Sequence, residues 1–166
     1  MMINTLWRLL WFVVLCLTQV LVCNQIHLFG YATPLLYVYF VISFARNYPK
    51  WAILLWSFAL GLCVDLFTNT PGLSAASLTL IGALQPYLLE LFVPRDSVET
   101  LPASAAMLGK SKFAILASIL VTIFCLVYFA LEAFTFFNWQ NWLLCAGGST
   151  LLTLLLILSL ETVRKS

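Results

Sequence analysis

The sequence predicts an all-α, polytopic integral membrane protein, a single domain over residues 1–166 with six transmembrane helices. Composition is the first reason. Of 166 residues, 63% are hydrophobic and 8% are charged, against about 25% charged in an ordinary soluble domain. A soluble chain this short has a large surface for its volume and must cover it with polar groups, which eight basic and six acidic side chains do not supply. Patterning is the second reason. The apolar residues form runs long enough to cross roughly 30 Å of hydrocarbon at about 1.5 Å rise per residue, without the alternation of an outer-membrane barrel. The third is the placement of charge, which follows once the spans are drawn.

The first span is read at Leu6–Cys23, with Trp7 and Trp11 near its edge. Val20-Leu21-Val22-Cys23 faintly resembles a lipoprotein cleavage site, but Val22 is bulky where a small residue is wanted, so the span is read as retained. The second, Pro34–Arg46, is short and reaches spanning length only with Phe29 to Thr33, which brings Tyr31 to its edge. The third and fourth, Trp51–Phe67 and Gly72–Val93, are joined by Thr68-Asn69-Thr70-Pro71-Gly72, a turn by composition. The fifth is Lys112–Phe137 and the sixth Trp139–Glu161, with a tight link near Asn138. Tyr48, Trp51, Tyr87, Trp139 and Trp142 also fall near span ends, where amphipathic rings favour the headgroup zone.

With these six spans every basic residue falls on one side. Arg8 lies at the start of the first span, Arg46 and Lys50 at or after the end of the second, Arg95 and Lys110 between the fourth and fifth, and Lys112 at the start of the fifth; Arg164 and Lys165 follow the sixth. The connectors on the other side, including Asn24–Thr33, contain no Lys or Arg. The positive-inside rule makes the basic side cytoplasmic, and with it both termini.

Little in the chain suggests catalysis, so the sequence reads as no enzyme, without cofactor or metal. His27 is the only histidine and sits in an outer loop, leaving a zinc site or a Ser-His-Asp arrangement without partners. Cys16, Cys23, Cys63, Cys125 and Cys145 are scattered singly and read as small apolar fillers. There is no Gly-rich phosphate loop, and the basic residues are too dispersed for nucleic acid.

Polar groups at membrane depth are the informative ones. Ser57, Gly61 and Asp65 are spaced by four and share a helix face. Small residues on such a face let another helix approach closely. Asp65 is then either an ionisable group in an interhelical crevice, a functional-site hypothesis by default, or a group that reaches the outer interface or caps the neighbouring turn. In the fourth span Ala75, Thr79, Gly82, Pro86 and Glu90 form a second stripe, with Pro86 expected to kink the helix. Glu90 lies about one turn from Arg95, and a structural ion pair between them is the preferred reading. Glu132 and Glu161 read as interfacial. The candidate packing or partner-binding residues are therefore Ser57, Gly61, Asp65, Pro71, Gly72, Gly82, Pro86, Glu90 and Arg95.

The stretch Gly61-Leu62-Cys63-Val64-Asp65-Leu66-Phe67, followed by Thr70-Pro71-Gly72-Leu73-Ser74-Ala75-Ala76, resembles the signature of MreD, the rod shape-determining inner-membrane protein family. Gln85-Pro86-Tyr87-Leu88-Leu89 is similar to the continuation of MreD chains, and length and span count fit throughout. The resemblance implies a fold similar to the substrate-binding subunits of energy-coupling-factor vitamin transporters. It also implies a non-enzymatic component of the bacterial elongation machinery that binds MreC near MreB filaments and the RodA polymerase with its transpeptidase. Asp65, Pro71 and Gly72 match family positions without an assigned catalytic role. A small-molecule (vitamin-like) binding subunit of a membrane transporter is the alternative, and would need a cavity with convergent polar groups.

Overall fold

The computed structural model describes residues 2–21, 36–44, 48–69, 71–93, 95–96, 108–133 and 139–165. The helices are α1 (Met2–Leu21), α2 (Val38–Ile42), α3 (Lys50–Thr68), α4 (Leu73–Phe92), α5 (Lys110–Ala133) and α6 (Trp139–Lys165). Four of them, α3 to α6, are long and apolar enough to cross a membrane, while α1 carries a shorter apolar stretch, Thr5–Leu21. The outward faces are covered with large apolar side chains, among them Leu6, Leu55, Leu66, Leu91 and Leu151. Contiguous apolar surface of that kind suits hydrocarbon rather than water, and the architecture is that of a helical membrane protein. His27, Cys23, Tyr31, Arg46, Thr70, Pro94 and most of the Pro94–Ser111 connector lie outside the described residues.

Helices consecutive in the chain from α3 onward are neighbours in space: α3 packs on α4, α4 on α5, and α5 on α6, with α1 laid against α3. The second segment differs from its expected form. Pro34–Arg46 was expected to be a spanning helix, yet among its described residues only Val38–Ile42 is helical, and Leu36–Ile42 is buried throughout. It lies inside the bundle, against α1, α4 and α5.

Its direction is fixed by its partners. Near its start the Leu36 amide donates to Oε1 of Gln19, close to the end of α1, at 2.9 Å. Phe40 meets Phe12 edge-on at 5.8 Å, and farther along, the guanidinium of Arg8 lies 5.3 Å from the Phe44 ring centroid and 3.8 Å from that of Tyr48. The segment thus runs antiparallel to α1 along most of its length. Both ends of α2 close in tight turns: the Tyr39 and Phe40 amides donate to the Leu36 and Tyr37 carbonyls at 3.0 and 3.2 Å, and the Phe44 amide to the Val41 carbonyl at 3.4 Å.

A helix this short leaves orphan polar groups at both ends, and at membrane depth they need partners. Two glutamines provide them. Gln19 serves the start, and Nε2 of Gln85 on α4 donates to the carbonyls of Ile42 and Phe44 at 3.3 and 3.1 Å at the other end. Two tyrosines add lateral ties. The Tyr37 hydroxyl donates to Oγ of Ser74 at 3.2 Å, and the Tyr39 hydroxyl to Oε2 of Glu161 at 2.7 Å. Glu161 is therefore buried within the bundle and not interfacial as its position near a span end suggested; Glu132 is exposed.

Candidate functional site

The face predicted on α3 is the one that meets α4. Gly61 lies so close to the next helix that a Cβ built on it would stand 2.4 Å from Cα and 2.6 Å from the amide nitrogen of Ala75, and 2.7 Å from the Ser74 carbonyl oxygen. These are backbone atoms and cannot rotate away. Two turns deeper, a Cβ on Gly82 of α4 would stand 2.6 Å from Oγ and 3.2 Å from Cβ of Ser57. Ser57 spends its hydroxyl within its own helix, donating to the Ile53 carbonyl at 2.7 Å, and offers α4 a small surface. Backbones this close gain dispersion contacts that larger side chains would prevent.

Asp65 completes the contact. Its Oδ1 accepts from the Ser74 amide at 2.9 Å and its Oδ2 from the Ala75 amide at 3.0 Å. These donors lie in the first turn of α4, where the helix has no internal acceptors for them. Gly72, the N-cap residue, has no side chain to serve them, so a carboxylate from the preceding helix does so across the turn. The helix dipole and the charge of the acid reinforce one another there. Asp65 is 3% exposed and Ser74 fully buried. Of the two readings of Asp65, the cap is the one the geometry shows.

The turn follows from backbone chemistry. Asn69 ends α3 in the left-handed region at φ 63°, and Gly72 opens α4 at φ 83°. Asn tolerates that conformation better than most residues, and Gly has no Cβ to oppose it. Nothing lies within 4 Å of a Cβ placed on Gly72, so its role is conformational and not steric. Pro71 beside it is exposed.

The inner end of the predicted α4 stripe departs from expectation. The helix continues through Pro86, which is buried. Glu90 is exposed, as is Arg95, and no ion pair joins these two described residues. The reason is helical phase. Gly82 and Pro86 already lie toward one side of the buried face, and a further step of four, an advance of about 40°, carries Glu90 off it. The buried face instead follows Leu78, Ile81, Gln85 and Leu89, which mixes steps of three and four. Gln85 was therefore missed as a structural residue although the sequence motif contained it.

Elsewhere the hydroxyls of Thr122 and Thr150 donate to carbonyls four residues back, both at 2.6 Å. Together with Leu126, Leu143 and Gly147 they line an open apolar groove of about 360 Å³ between α5 and α6. Among the described residues no cluster of three His, Cys, Asp or Glu is placed to hold a metal ion. Cys16 and Cys125 are buried, Cys63 and Cys145 half-buried, and none of the four is in a disulfide. No protein-family model matches this chain, and no curated protein or solved structure matches it either.

The Gly82–Ser57 contact yields a paired prediction. Gly82→Ala should lower thermal stability in detergent by about 1–3 kcal/mol through overpacking. Adding Ser57→Gly removes the two nearest atoms that the new methyl meets and should recover part of the loss. A double-mutant cycle on thermal unfolding reads the coupling, and strict additivity would argue against direct contact.

Proposed function

We propose that this chain is a non-enzymatic, MreD-like component of the bacterial cell-elongation machinery. In this reading it sits in the inner membrane with six crossings and both termini cytoplasmic. It maintains rod shape by binding MreC and so helps to organise lateral peptidoglycan synthesis, with MreB and RodA and its transpeptidase as more distant partners.

One observation carries the reading: the stretch that resembles the MreD signature is taken up by helix packing. Gly61 is pressed on the backbone of Ala75, and both carboxylate oxygens of Asp65 hold α4 amides. Residues used in this way build a rigid membrane-embedded surface, which suits a scaffold.

The test is affinity purification of the tagged chain from bacterial membranes, with mass spectrometry of proteins and small molecules. MreC is expected in the eluate. A stoichiometric vitamin-like compound in place of MreC would overturn the scaffold and favour the transporter. Topology is checked separately. Reporters fused after Ser166 and within Pro94–Ser111 are expected to read cytoplasmic, and one between Thr68 and Pro71 periplasmic; a periplasmic C-terminus would refute six crossings.

A further inference from the structure

We draw no further inference here: the strongest candidate, the apolar groove between α5 and α6 lined by Thr122, Leu143, Gly147 and Thr150, carries nothing because the structure does not show what covers it.

Discussion

Replacing Gly61 with alanine is expected to break the α3–α4 hairpin more severely than any other single methyl addition among the described glycines. The added carbon would fall 2.4 Å from Cα of Ala75, well inside van der Waals contact, and it faces main chain on a helix that cannot yield locally. Relief requires the two helices to move apart along their length. That movement would also draw Asp65 away from the Ser74 and Ala75 amides, so packing and capping fail together. Overpacking of a close core costs about 1–3 kcal/mol, and the coupled loss of the cap puts Gly61→Ala at the upper end of that range. Gly61→Leu should be worse still. Thermal unfolding in detergent measures the effect, with Gly147→Ala as a control, because nothing lies within 4 Å of a Cβ at that position. If Gly61→Ala and Gly147→Ala unfold at the same temperature, the close approach of α3 and α4 is wrong. On the scaffold reading, Gly61→Leu also weakens copurification with MreC at equal membrane abundance.

The second large effect is at Asp65, where the order of variants is diagnostic. Asp65→Ala leaves two amides of α4 without acceptors in a nearly dry environment. Loss of an N-cap acceptor costs up to about 2 kcal/mol in ordinary proteins, and bonds to a charged acceptor run to about 3 kcal/mol. A loss of about 3 kcal/mol is therefore expected. Asp65→Asn is not neutral either, although it keeps the size and one oxygen. Each carboxylate oxygen accepts from an α4 amide, whereas Asn turns one of those positions into an NH2 that would face an N–H. One bond survives, and the loss should be about 1–2 kcal/mol. The expected stability order is wild type, then Asn, then Ala, with rod-shape complementation falling in the same order. An Asp65→Asn protein as stable as wild type but unable to support rod shape would assign the acid to proton or ion exchange and remove the capping argument.

Most of the architecture was legible because membrane segments announce themselves locally. The α3, α4 and α6 helices begin within a residue or two of their predicted starts, since apolar runs bounded by turns depend on neighbouring residues alone. The Ser57–Gly61–Asp65 face was legible for the same reason: spacing of four on one helix needs no knowledge of its partner. Two kinds of feature were not. The phase of α4 is set by what α4 packs against, and a stripe continued from Gly82 chose Glu90 where the contact chose Gln85 and Leu89. The bonds from Leu36 to Gln19 and from Tyr39 to Glu161 join residues far apart in the chain. A lone Gln or Tyr in an apolar run carries no mark of the backbone or carboxylate it will meet. The sequence of α2 likewise looks apolar and spanning, because hydropathy does not distinguish a segment that faces lipid from one that faces protein.

That distinction has a consequence for how the chain is made. The Leu36–Ile42 segment turns its surface to protein on every side, so partitioning into lipid does not supply the energy that holds it in place. Its main-chain groups at both ends depend on amides from α1 and α4, and α4 is synthesised after it. During biogenesis the segment therefore passes through a stage in which its binding site is unfinished, and its final seat forms only when the α3–α4 hairpin arrives. A defect in that hairpin, including one at Gly61 or Asp65, would appear at translocation as a failure of an earlier segment, with the fault and its symptom separated by a whole membrane crossing.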